Sequence, residues 1–189
     1  MSLLLRMIVS TSPWIEAEKK EGGLAASAES PPIWAVREFM PSEKDGSGLS
    51  VYEVKNEDEA ELIAAAYSIH KSESAKNAVI FIALDRAAVE TAGLVIRETA
   101  GDWHHVFADA QHREIIVDDM GALTRLAAVA LTGEMFNFEH KSVWKAVRSQ
   151  AQLDQYKFFP LARKGGSSPA ALNIVKFIGE EIVIASGAR

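Results

Sequence analysis

The sequence predicts an α/β or α+β domain: a single mixed sheet with helices packed on it and its central strand at residues 78–84. Three observations lead there. Stretches with strand-like and helix-like periodicity interleave along the chain. Residues 78–84 (AVIFIAL) are apolar on both alternating faces, the pattern of a strand covered on two sides. The composition, 48% apolar and 24% charged, is that of an ordinary globular chain. At 189 residues the chain is long enough for one domain that buries roughly 70% of its unfolded surface.

Residues 3–9 form the first expected strand, with Arg6 as its one polar member. Ser12-Pro13 then signals a helix start, and Gly22-Gly23 a stop. Residues 25–32 (AASAESPP) have the small residues and prolines of a surface loop. Residues 33–40 are expected as a strand, 41–48 (PSEKDGSG) as a turn and 49–55 as a second strand, so that 33–55 makes a hairpin. Asn56 and Glu59 stand in a capping-box relation, and Leu62, Ile63, Ala66 and Tyr67 repeat at helical spacing. Asp85 caps a short helix that stops at Gly93. Strands follow at 94–98 and 114–117, then a helix capped by Asp118 or Asp119 and ended by Gly133. Residues 134–189 are less regular and belong either to the one domain or to a C-terminal appendage. Within them a helix is expected at 142–150, a helix from Ser168-Pro169 to Gly179 and a strand at 181–185.

The chain has no cysteine, which removes disulfides, thiolate metal sites and cysteine nucleophiles. The first residues are apolar, but Arg6 interrupts them and no cleavage site follows. The longest clean apolar run, 78–84, is far short of the ~20 residues a membrane helix needs. A cytoplasmic protein without a membrane segment is the expectation. A net charge of −6 disfavours a nucleic-acid partner, since phosphate contacts call for a basic excess.

Four constellations could carry chemistry. Residues 102–112 (DWHHVFADAQH) are the densest polar cluster. On a helix His105, Asp109 and His112 would share one face, a ligand set suited to zinc or iron or to acid–base work. Glu53-Val54-Lys55 has the Glu-x-Lys form that many nucleases place at a strand end, where the carboxylate holds magnesium and the lysine stabilises charge at phosphorus. Asp45 and Glu38 are the acids available to complete it. Lys141, Lys145 and Arg148 make a basic helical stripe, the pattern of a solvated face or a local phosphate-binding surface.

The fourth constellation is a layout. Arg6 lies in the first strand, a helix ending in Gly22-Gly23-Leu24 follows, and Gly48-Leu49-Ser50-Val51-Tyr52 precedes an alanine-rich helix. Over residues 3–67 this resembles the ADP-ribosyltransferases. The resemblance implies that Arg6 grips NAD and that the strand with Ser50 and Tyr52 shapes the nicotinamide site. It also implies a late glutamate (Glu114, Glu180 or Glu181) that stabilises an oxocarbenium-like transition state. The family's Ser-Thr-Ser segment and Glu-x-Glu turn are missing here, which leaves that glutamate open.

No glycine-rich dinucleotide fingerprint, P-loop or nucleophile elbow is present, so no cofactor is fixed by a motif. The leading expectation is therefore a non-catalytic or accessory domain that binds a protein or small molecule, with a homo-oligomer among the options. An ADP-ribosyltransferase-like NAD-consuming enzyme and a metal-dependent hydrolase or nuclease are the alternatives.

Overall fold

The structure, a computed structural model, describes residues 2–8, 11–41, 46–70, 78–101 and 106–139. The expected elements at 142–150, 169–179 and 181–185, and the basic stripe, lie outside them. The described elements are β1 (Leu3–Met7), α1 (Thr11–Glu18), a 3₁₀ turn (Leu24–Ser27), α2 (Ile33–Glu38), β2 (Gly48–Val54), α3 (Glu57–His70) and β3 (Val79–Asp85). These continue with α4 (Arg86–Thr91), β4 (Val95–Glu98), α5 (Val106–Gln111), β5 (His112–Ile116), α6 (Met120–Leu131) and β6 (Glu134–Phe138).

The strands form one six-stranded sheet in the order β4-β5-β2-β1-β3-β6. The pairs β4–β5, β5–β2, β2–β1 and β1–β3 are antiparallel. A sheet with helices, as expected from the interleaved periodicities, is thus what the chain builds. The apolar run at 78–84 falls in β3, an interior strand between β1 and β6, and every residue from Val79 to Leu84 is buried.

Pairing register sorts side chains to two faces. Leu4, Leu49, Val51, Ile80, Ile82, Leu84 and Ile115 point to the first face, where they join one hydrophobic core. Trp14 and Ala17 of α1, Ala35 and Val36 of α2, Val89 of α4 and the buried side of α6 complete that core. At its centre Trp14 meets Trp34 edge to face at 5.0 Å and Phe39 at 5.9 Å, the arrangement aromatic quadrupoles favour.

Local signals decide most element ends. Asp85 Oδ1 accepts the Ala87 N–H at 2.8 Å and Asp119 Oδ1 the Ala122 N–H at 2.6 Å, so both helices start on a carboxylate cap. Gly93 takes positive φ (72°) just past the end of α4, whereas α1 already stops at Glu18 and Gly22 and Gly23 (φ 83° and 58°) instead form the turn that leads into the 3₁₀ segment. At Gly133 the chain passes so close to β3 that a Cβ would collide with the Ala83 carbonyl oxygen.

Three expectations need correction. Residues 33–40 are not a strand, and 33–55 is not a hairpin: Ile33–Glu38 is a helix. Its run Ile-Trp-Ala-Val suits either structure by hydropathy, and burial of Ala35, Val36 and Phe39 follows the helical repeat. The loop at 25–32 contains the 3₁₀ turn. Residues 134–138, read as irregular, are the strand β6.

The chain divides into two compact units. The first comprises Met1–Glu57, Ile80–Ala100 and Gln111–Asn137, and holds the core described above. The second comprises Asp58–Val79, Gly101–Ala110 and Phe138–Arg189; within it Ala60 and Ile63–Ala66 of α3 are buried, and the Gly101 N–H donates to the Asp109 carbonyl oxygen at 3.2 Å. No helix among the described residues is long and apolar enough to cross a membrane.

Candidate functional site

Polar side chains of the first unit collect in two places, one on each face of the sheet. On the first face, Glu53, next to last in β2, is the hub of an ion-pair network. Its Oε1 accepts from Ser2 Oγ and from Arg86 Nη1, both at 2.6 Å, and its Oε2 accepts from Arg113 Nε at 3.0 Å. Arg86 Nε also reaches Glu90 Oε1 at 3.0 Å, one helical turn along α4. The Glu53 side chain keeps 18% of its exposure and Arg113 14%, so these pairs are shielded more than surface pairs are. Burial pushes the Glu53 carboxyl up, but hydrogen bonds from Ser2 and Arg86 and the charges of Arg86 and Arg113 outweigh it. The net result holds Glu53 below the ordinary carboxylate range.

On the second face, β2, β5 and β4 lay out a different group. Tyr52 pairs with His112, and Ser50 with Glu114. Arg97 of β4 pairs with Glu114 on its other side. Thr99, just beyond β4, puts its Oγ1 2.8 Å from His112 Nδ1. The Tyr52 and His112 rings stand edge to face at 5.4 Å. Exposure rises across this surface, from buried Tyr52 (6%) and His112 (8%) through half-buried Ser50, Thr99 and Glu114 to exposed Arg97. The contact with Thr99 engages Nδ1 and so fixes the orientation of the imidazole ring.

The sequence-predicted residues divide between these places. Ser50, Tyr52 and His112, drawn from two separate constellations, share the second face, together with Glu114. Arg6 does not join them: it alternates with Leu4 and Ile8 and so projects from the first face, while its Nη1 donates to the Ser50 carbonyl oxygen at 3.0 Å. His112 opens β5, whereas Asp109 lies on α5, so these two do not continue one helical face; His105 is outside the described residues. In Glu53-Val54-Lys55 both carboxylate oxygens of Glu53 are taken by arginines, and Lys55 is exposed. Asp45 lies outside the described residues and Glu38 ends α2.

Sequence reasoning missed Arg97, Thr99, Arg86 and Arg113. Local sequence gives them little signal: Arg97 is followed by Glu98 and Arg113 by Glu114, so no clean polar–apolar alternation marks their faces. The register that brings them together is not written locally. Comparison of the chain with family models, with curated proteins and with solved structures finds no match.

Proposed function

We propose that the chain is a non-catalytic binding domain that takes a small polar ligand on the second face of β2, β5 and β4. One observation carries this reading: the polar groups of the two faces are spent differently. On the first face Glu53, Arg86, Glu90 and Arg113 satisfy one another. On the second, the Ser50 hydroxyl, the Glu114 carboxylate and the Arg97 guanidinium enter no side-chain hydrogen bond or ion pair among the described residues. Convergent polar groups on a rigid strand platform, beside buried aromatic rings, are what a ligand surface needs.

The test is a fragment screen on the isotopically labelled full chain, read by NMR, with NAD included among the ligands. Hits should shift Ser50, Glu114, Arg97 and the His112 ring together. A screen without hits, or hits that shift only other residues, would end the reading. Turnover of NAD that Glu114→Gln abolishes would replace binding by catalysis. That outcome is worth including because Ser50, Tyr52 and Glu114 share this face even though Arg6 does not.

A further inference from the structure

We propose that the ligand of this face is a zwitterion, specifically a free amino acid with an apolar side chain. The inference rests on the binding reading above and narrows it. The Glu114 carboxylate is turned toward β2, where an ideal Cβ on Gly48 would lie 2.8 Å from its Cδ and 2.9 Å from its Oε2. Only a glycine leaves that space. Arg97 stands on the opposite flank of β5, directly cross-strand from Glu114. Opposite charges directly across a strand pair attract each other. Among the described residues this pair is not closed, because the carboxylate leans away.

A cation and an anion held apart on one surface match a ligand that carries both charges. The α-ammonium donates to Glu114, and the α-carboxylate accepts from the two-pronged guanidinium of Arg97. Ser50, cross-strand from Glu114, supplies a hydroxyl beside the ammonium. The neighbouring row of the same face is Gly48, Ile116 and Val95. Val95 is 63% exposed and Ile116 half-buried, so an apolar side chain of the ligand has a surface to cover. The net charge of the platform, one Glu and one Arg, is zero, which suits a zwitterion better than a simple cation or anion.

Titration of the full chain with the twenty free L-amino acids, by calorimetry and NMR, tests this. Leucine or another apolar member should bind and shift Ser50, Arg97 and Glu114. Its amide and its N-acetyl form, each missing one charge, should bind about tenfold more weakly or worse. Glu114→Gln and Arg97→Gln should each weaken the free amino acid similarly. Gly48→Ala should weaken it too, because the added methyl drives Glu114 back toward Arg97. All three variants should keep the parent circular dichroism spectrum, since each changes a half-exposed or flexible contact. No binding by any amino acid would overturn the proposal, as would equal binding of leucine and its amide, or affinity unmoved by both charge variants. Should fragments shift this face while no amino acid does, the zwitterion falls and the binding reading stands; should neither bind, both fall.

Discussion

Glu53 shows how much of a residue's role comes from neighbours far along the chain. Arg86 is 33 positions away and Arg113 is 60. Nothing local in Glu53-Val54-Lys55 distinguishes a metal ligand from the hub of an ion-pair network, so the nuclease-like spacing was legible and the arginines were not. Glu53→Gln should destabilise the fold by about 1–3 kcal/mol at neutral pH, since it leaves shielded guanidinium donors poorly matched. The native pKa is depressed, so the stabilisation is complete above the ordinary glutamate value and is lost as pH falls through the native one. Denaturant melts of parent and variant should therefore differ most at neutral pH and converge in acid. A gap that stays constant with pH would show that the Glu53 charge contributes nothing. Tyr52 and His112 make the same point on the other face: both residue types invited attention in the sequence, and only the β2–β5 register makes them partners.

At the scale of elements, the starts and stops that were readable are those set by local chemistry. Asp85, Asp119 and Gly93 act within a few residues of themselves, whereas Gly22, expected as the stop of α1, lies four residues past its end. α2 was misread because its apolar run has no polar residue to mark a period, and its side chains are sorted by contact with Trp14 rather than by sequence. β6 was missed because its place at the sheet edge comes from tertiary pairing. Gly133 had been read only as a helix stop, and the structure adds a second requirement. Its φ is unremarkable, but the Ala83 carbonyl occupies the space a side chain would need. Gly133→Ala should cost about 1–3 kcal/mol by forcing α6 and β3 apart, measured as a lowered melting temperature with the binding face intact. A neutral result would mean that the α6–β6 turn yields freely.

For the whole molecule, the existence of a sheet with helices was legible, and its strand order was not. Interleaved periodicities specify what the elements are, whereas the order β4-β5-β2-β1-β3-β6 depends on pairings between distant segments. β1 sits between β2 and β3, and β2 between β1 and β5, so the middle of the sheet draws on both ends of the described chain. A chain ended before His112 should therefore lack more than one strand: β2 loses a neighbour and the core loses Ile115 and all of α6. Hydrogen exchange on such a fragment should find β1 and β2 unprotected. Full protection of these strands would show that the N-terminal half folds by itself.

The β2–β5 pairing also bears on how the protein is made. A ribosome finishes β2 long before it reaches β5, and at about 5–20 residues per second the wait lasts several seconds. Throughout that interval one flank of β2 offers bare main-chain donors and acceptors to any passing strand. That flank is where a holding chaperone would engage the nascent chain, and where a stray strand would do most harm.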